Sequence, residues 1–318
     1  MTEMVKVDLI TGFLGSGKTT FLKKYARFLM DKGLRIGILE YDYGAVNVDM
    51  LLLSSLRCDR CELEMLAAAC DADCLERRFR TKLISMAMSG YDRVIIEPSG
   101  IFDMDMFFDA LREEPLEKWY EIGSVITIVS ADLPDDLSAQ ADYYLASQAS
   151  SAGRIILSRT QLVTEADIER TKAHIRRAAQ EIKCNKYGDR YIDKCWDDFE
   201  ESDFLAIAGS GYYVNDCVKI IAGEDSSFSS VSFLNVPEGI EGMKKKLEML
   251  FDDAAYGKVM RVKGFIGDVD ESTGIRSNYE INATSEGTVI TASGVGQNTM
   301  IVIGDDLDED RIKGLIMA

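Results

Sequence analysis

Residues able to do chemistry appear almost at once: Gly12, Phe13, Leu14, Gly15, Ser16, Gly17, Lys18, Thr19 and Thr20 read G-x-x-x-x-G-K-T-T. Glycines at this spacing let the backbone turn tightly, so that successive N–H groups point at one anion. Lys18 has the reach and charge for the β- and γ-phosphates of a nucleotide, and the Thr19 hydroxyl suits a place on Mg²⁺. Such a loop binds phosphate only when a strand delivers the chain to it and a helix N-terminus follows. Both are present, as an apolar run over residues 5–11 and a helix-forming stretch over residues 21–30.

Two acidic segments stand where the second half of such a site belongs. The apolar run at residues 34–40 ends in Glu40-Tyr41-Asp42-Tyr43-Gly44, an acidic loop that continues to Asp49. The C-terminal edge of a parallel sheet is where ligands bind. Asp42 there suits holding Mg²⁺ through water or orienting an attacking water; a solvated acidic turn is the plainer reading. Residues 91–100 form a second buried strand ending in Glu97-Pro98-Ser99-Gly100. Glu97 is placed to act on the Mg²⁺ water shell, and the Gly100 amide to sense the γ-phosphate. These three acid and hydroxyl candidates for Mg²⁺ are therefore Thr19, Asp42 and Glu97.

Between those strands lie four cysteines, Cys58, Cys61, Cys70 and Cys74. Cys58-Asp59-Arg60-Cys61 is a C-x-x-C pair, and Cys70 and Cys74 bracket Asp71 and Asp73. Thiolates so spaced chelate a soft or borderline metal such as Zn²⁺. The intervening stretch, extended, spans roughly 25 Å, so all four thiols meet only if the chain folds back. The expectation is one pair as the main site, Cys70 with Cys74, with Asp71 or Asp73 as a third ligand. Buried structural cysteines are the alternative. The only histidine, His174, stands in a helix away from these candidates and reads as a surface residue.

Around these residues the chain has the makings of an ordered globular protein of about two domains, with 318 residues and 47% hydrophobic content. Its formal net charge of −18 disfavours duplex nucleic acid and anionic membranes as partners. No apolar run reaches the roughly 18 residues a membrane helix needs. The first strand begins almost at the N-terminus, leaving no room for a signal peptide. Seven cysteines in such a chain suggest thiols or metal ligands in a reducing cytoplasm.

Strands near residues 122–129 and 153–157 alternate with helices near 75–89, 136–150 and 165–182, the last opening with a capping box at Thr164 and Asp167. That β-α alternation implies α/β architecture: a doubly wound, mainly parallel sheet over residues 1–222. Residues 181–211 are less regular, and Asn185-Lys186-Tyr187-Gly188-Asp189 there imitates a guanine-reading N-K-x-D motif without a strand before it. Residues 223–227 are a composition break suited to a linker. Residues 223–318 then read as strand, helix, strands and helix, a small α+β domain of antiparallel sheet with one helical layer.

Taken together, the chain resembles the CobW-type metal-chaperone GTPases, relatives of HypB and UreG, nearly end to end. The family's glycine loop stands at residues 12–19, its E-N-E-F-G segment at Glu40-Tyr41-Asp42-Tyr43-Gly44, and its acid-x-S-G segment at Glu97-Pro98-Ser99-Gly100. Arg261-Val262-Lys263-Gly264-Phe265 and Ile301-Val302-Ile303-Gly304 are similar to strings in its C-terminal domain. The resemblance puts Ser158, Arg159, Thr160 and Gln161 at the base-reading N-K-x-D position. Where the family aspartate accepts two hydrogen bonds from guanine, a Gln amide offers one acceptor oxygen and donors. Guanine selectivity should weaken and ATP becomes a substrate candidate beside GTP, while the Arg159 stem can cover the base as the family lysine does. The family's C-x-C-C metal motif lacks its adjacent cysteine pair here, and the His-rich segment of many relatives is absent.

The reading that follows is an NTP-hydrolysing switch in which Mg²⁺ and the γ-phosphate order residues 40–49 and hydrolysis releases them. The resemblance implies delivery of a metal or metallocofactor to a client metalloprotein, and a homodimer is compatible with it. A non-hydrolytic nucleotide-binding adaptor that regulates a partner enzyme is the alternative. A P-loop kinase would need an Arg-rich lid, and Arg77, Arg78 and Arg80 read instead as a solvated helix face.

Overall fold

The computed structural model describes residues 4–42, 48–67, 72–100, 102–184, 190–214, 228–269, 273–285, 287–294 and 296–318. The chain divides into two compact units, Met1–Asp42 with Leu53–Ile221, and Tyr43–Leu52 with Ala222–Ala318.

The first unit alternates strand and helix: β1 (Val5–Thr11), α1 (Lys18–Asp31), β2 (Ile36–Asp42), then, after the short helix α2 (Val48–Leu53), nearly all of which belongs to the second unit, β3 (Cys61–Ala67), α3 (Ala72–Ala87), β4 (Arg93–Pro98), α4 (Met104–Arg112), β5 (Tyr120–Ser130), α5 (Ala139–Ser151), β6 (Arg154–Ser158), α6 (Glu165–Glu181), β7 (Tyr191–Ile192) and α7 (Glu201–Ala208). The seven strands pair in the order β3-β2-β4-β1-β5-β6-β7, and every pairing is parallel. Parallel strands covered on both faces must be apolar throughout. Accordingly, β4 is buried along its whole length and β1 at every position but Lys6. Helix α1 buries Phe21, Leu22, Tyr25, Ala26 and Leu29, a stripe at helical spacing. Each large apolar side chain removed from water contributes about 1.5–3 kcal/mol.

The sheet order places β1 at the point where successive connections turn from one side to the other. Its C-terminal end is therefore the crevice where an open α/β sheet takes its ligand. The polar residues of β1 and β4 farther from that crevice are spent on structure. Asp8, fully buried, accepts from Tyr25 Oη at 2.7 Å and from the Ser124 amide at 2.8 Å, and pairs with Arg93 at 3.0 Å. Burial pushes its carboxyl above the usual range in spite of those partners.

The α6 capping box forms as its sequence predicts, with Thr164 and Asp167 bonding each other's backbone. His174 on that helix is not at the surface. It is 2% exposed, with Nε2 2.6 Å from Asp142 Oδ1 on α5. A helix of moderate polarity hides such a residue because its inward stripe is set by the neighbouring helix, which here supplies a carboxylate. The segments at residues 185–189 and 223–227 lie outside the described residues.

In the second unit, β8 (Phe228–Leu234), α8 (Ile240–Asp252), β9 (Lys258–Val269), β10 (Arg276–Thr284), β11 (Gly287–Ala292), β12 (Thr299–Asp305) and α9 (Glu309–Ile316) build a five-stranded antiparallel sheet in the order β11-β10-β9-β12-β8. Val262, Ile266, Met300 and Val302 pack with Met243, Leu247, Ile312 and Ile316 of the two helices. The alternate residues Phe265, Ile301 and Ile303 leave the other face and cluster with Leu51 and Leu52 of α2. None of the described helices is long and apolar enough to cross a membrane.

Candidate functional site

The loop leaving β1 has the backbone its glycines predict. Gly12 has φ +147°, and a Cβ there would lie 2.1 Å from the Ile128 carbonyl oxygen, so no side chain is tolerated. Helix α1 then starts at Lys18 with Gly17 as N-cap, no side-chain cap and no acid in its first turn. Its positive dipole end thus faces the loop, with no side chain of its own first turn to cap it. The Ser16 hydroxyl, 3% exposed, is buried without a hydrogen-bond partner among the described residues. A phosphate group is the ligand these features fit.

Lys18 extends back over the loop and donates from Nζ to the Gly12 carbonyl at 3.0 Å. Thr19 Oγ1 donates to Glu97 Oε1 at 2.8 Å, across 78 residues of sequence. Glu97 is 2% exposed, and its register partner on β2 is Glu40, also 2% exposed. Residues in register on parallel neighbours leave the same face of the sheet. Two buried carboxylates and a hydroxyl beside a phosphate loop form an all-oxygen donor set suited to Mg²⁺. Glu40 was not among the sequence-derived candidates; only the β2–β4 register reveals it. Asp42 ends β2 at the same sheet edge, and its side chain lies outside the described residues. Thr20 sits exposed in the first turn of α1.

Gly100 follows β4 and is pressed against the loop: a Cβ there would lie 2.6 Å from the Leu14 amide nitrogen. Its carbonyl accepts from the buried Gln148 amide at 3.0 Å. On the other side, Ser158 ends β6, 2% exposed, and Arg159 adopts left-handed backbone at φ 59°. The Arg159 guanidinium donates to Asp132 Oδ2 at 3.0 Å and to the Gly15 carbonyl at 3.3 Å. Gln161 lies in the following 3-10 turn, exposed, with its Oε1 3.6 Å from Cys195 Sγ. The loop, Glu40 and Glu97, and the Ser158–Arg159 turn are therefore brought to one edge of the sheet.

Among the described residues, Cys58 and Cys61 are not brought together with Cys74. Cys58 and Cys61 face each other across a tight turn, their backbones exchanging hydrogen bonds of 3.1 and 3.0 Å. Cys61 starts β3 opposite Ile36, the far edge of the sheet from the loop. Cys58 Sγ is exposed and 3.7 Å from Met30 Sδ. Burial, then Cys58 and Glu62, push the Cys61 thiol up to about 12, so a metal there must displace a proton. Cys74 lies beyond the other end of β3, which at about 3.3 Å per residue is roughly 20 Å away. It lines a groove of about 540 Å³ with Met65, Leu66, Arg77, Arg78 and Lys82. Cys70 lies outside the described residues. Among the described residues no three His, Cys, Asp or Glu side chains gather as a metal-holding group.

A family model described as CobW/HypB/UreG, nucleotide-binding domain, matches residues 6–185, more than half of the chain. The zinc chaperone YjiA of Escherichia coli (strain K12) is 26% identical over 275 residues, covering 82% of this chain and 81% of its own. The zinc chaperone YeiR of the same strain is 25% identical over 162 residues, 51% of this chain and 48% of its own. Among solved structures, Zn(II)-bound YjiA GTPase from E. coli is 19% identical, with 99% of this chain and 98% of that one covered and a TM-score of 0.37. HypB from Helicobacter pylori in complex with nickel is also 19% identical, covering 63% and 82%, with a TM-score of 0.38. The matched residues include the phosphate loop, Glu97 and the Arg159 turn, and the chain belongs to the CobW/HypB/UreG family of P-loop GTPases.

Proposed function

We propose that this chain is a slow, Mg²⁺-dependent GTPase switch of the cytoplasm, whose nucleotide state governs a thiolate metal site and the delivery of that metal to a client metalloprotein. The observation that carries the reading is the Thr19–Glu97 hydrogen bond beside an uncapped helix N-terminus. It joins the two halves of a nucleotide site in one contact.

In this reading the amides of residues 12–19 and Ser16 grip the phosphates, and Lys18 exchanges the Gly12 carbonyl for them. Thr19, Glu97 and Glu40, with Asp42 at the edge, hold Mg²⁺ and its waters. Bound there, the ion supplies charge neutralisation for the departing phosphate. Gly100, pinned between Leu14 and Gln148, reports the γ-phosphate to the chain after β4.

The metal ligands in this reading are Cys70 and Cys74 with Asp71 or Asp73, and Cys58 with Cys61 form a separate pair at the start of β3. YjiA is named a zinc chaperone and HypB is seen with nickel, and thiolate with carboxylate suits Zn²⁺ here. The client docks where Cys74 lines the groove, and a homodimer is a compatible assembly. Titrating Zn²⁺ into protein loaded with GDP and with a non-hydrolysable GTP analogue tests the coupling. A difference in affinity of roughly 5- to 150-fold is expected; equal affinities would leave a GTPase without metal control.

A further inference from the structure

The end of the sheet away from the phosphate loop holds three sulfur atoms that the nucleotide site does not use. Only residues 32–35 connect Asp31 of α1 to Ile36 of β2, and Ile36 is the register partner of Cys61. So short a connection brings the last turn of α1 beside the first residue of β3. The Arg60 guanidinium fastens the two, donating to the Met30 carbonyl at 3.3 Å.

Cys58 and Cys61 flank the two-residue turn Asp59–Arg60, and each donates its amide to the other's carbonyl, at 3.1 and 3.0 Å. Residues opposed in this way stand about 5.5 Å apart at Cα and send their side chains to the same face. Two thiols are thus held on one side of a closed turn. Cys58 donates its thiol to Met30 Sδ at 3.7 Å, which adds a third sulfur from α1. Cys61 is buried, Met30 half-buried and Cys58 exposed, so the cluster opens to solvent on the Cys58 side.

The three sulfurs set the kind of ion. Ligands at the corners of a triangle around a metal stand about 4.0 Å apart for a metal–sulfur bond of about 2.3 Å. The 3.7 Å between Cys58 and Met30 is close to one edge of that triangle. Among the described residues no third His, Cys, Asp or Glu completes a metal-holding group with the thiols. Glu62, next to Cys61, is taken by Tyr91 Oη at 2.6 Å and by Arg35 at 3.2 Å. Zn²⁺ fills its shell with thiolate, imidazole and carboxylate, which leaves the thioether without a role. The soft ion that takes thiolate and thioether together is Cu(I).

We propose that Met30, Cys58 and Cys61 form a three-coordinate, all-sulfur site for Cu(I). Such a site deepens the reading of Cys58 and Cys61 as a separate pair, and it asks nothing of the phosphate loop or of Cys70 and Cys74. On binding, each thiol releases its proton to solvent and the neutral thioether gives up nothing. Two thiolates and one Cu⁺ leave the site with a single negative charge, and no electron moves, because the ion enters and stays as Cu(I).

The test uses the full-length protein with Cys70→Ser/Cys74→Ser, which removes the thiols of the other pair, kept reduced and free of oxygen. Cu(I) is titrated in competition with a coloured Cu(I) chelator. Binding of Cu(I) that is lost in Cys58→Ser is expected, with three sulfurs at about 2.3 Å in X-ray absorption at the copper edge. Met30→Leu keeps the volume and apolar character of the side chain. It should weaken Cu(I) at least about tenfold, the lower end of what losing even an outer-shell partner costs a metal, with Zn²⁺ affinity within about twofold of the parent. In protein grown with selenomethionine the copper edge should show a selenium neighbour, a readout that needs no variant to fold. Equal Cu(I) affinity in Met30→Leu overturns the proposal, as does a copper shell of two sulfurs without selenium. An equal loss of Cu(I) and Zn²⁺ in Met30→Leu also overturns it, since the side chain would then only support the turn. Protein that binds Zn²⁺ at this pair but no Cu(I) removes the copper site and leaves the separate thiol pair standing; protein that binds neither there removes both.

Discussion

Replacing Thr19 with valine keeps the side-chain shape and removes only the hydroxyl that donates to Glu97 at 2.8 Å. In the nucleotide-free protein the Glu97 carboxylate, 2% exposed, loses a hydrogen bond of the charged kind, which costs about 1.5–3 kcal/mol. For a unit of this size each kcal/mol lowers the melting temperature by about 2–4 °C, so a drop of roughly 3–12 °C is expected without ligand. In the nucleotide complex the loss is larger in effect, because the same hydroxyl is a proposed Mg²⁺ ligand. If that position contributes about 3 kcal/mol to the transition state, turnover falls on the order of 150-fold. The assay is phosphate release from GTP across a Mg²⁺ titration, run beside thermal melts of the free protein. Thr19→Ser keeps the hydroxyl and should stay near wild type in both. A valine variant that turns over within threefold of wild type at saturating Mg²⁺ would refute the metal role. A serine variant as impaired as valine would show that packing, not the hydroxyl, matters at this position.

Other consequences are as specific. Gly100→Ala places a methyl 2.6 Å from the Leu14 amide nitrogen, so the segment must retreat from the loop; GTP turnover should fall at least about tenfold, and wild-type turnover would mean that Gly100 does not report the phosphate. Cys61 and Cys74 lie at opposite ends of β3, so Cys58→Ser/Cys61→Ser and Cys70→Ser/Cys74→Ser should affect Zn²⁺ binding independently and additively; strong non-additivity in a calorimetric cycle would indicate a single four-thiol site. Thr164 and Arg170 pull the Asp167 carboxyl from 3.8 down to about 2. Its folded value lies below its unfolded one, so its stabilising effect is fully present above pH 4 and is lost as pH falls toward 2. The melting-temperature difference between wild type and Asp167→Asn should shrink over that window, and a difference that grows on acidification would contradict the capping role.

How much of this could be read from the chain depended on how local the cause was. The phosphate loop was legible because its glycines, Lys18 and Thr19 each answer a need of the same short turn. The β-α alternation was legible because buried parallel strands are continuous apolar runs. Glu40 was not, since its place beside Glu97 is a matter of strand register between segments more than fifty residues apart. Met30 was hidden for a similar reason, since it meets Cys58 across 28 residues of sequence. The separation of Cys61 from Cys74 followed once β3 was seen to run as an unbroken strand between them. His174 was misread because polarity along one helix carries no record of Asp142 on its neighbour.

The central claim is that the residues 12–19 turn grips the terminal phosphates of a nucleotide and that Lys18 is part of the grip. Calorimetric titration of Mg²⁺–GTP into wild type and Lys18→Ala addresses it directly. Saturable binding by wild type, lost or weakened at least a hundredfold in the variant, is the predicted result. Equal binding by both proteins, or no heat with either, would contradict it.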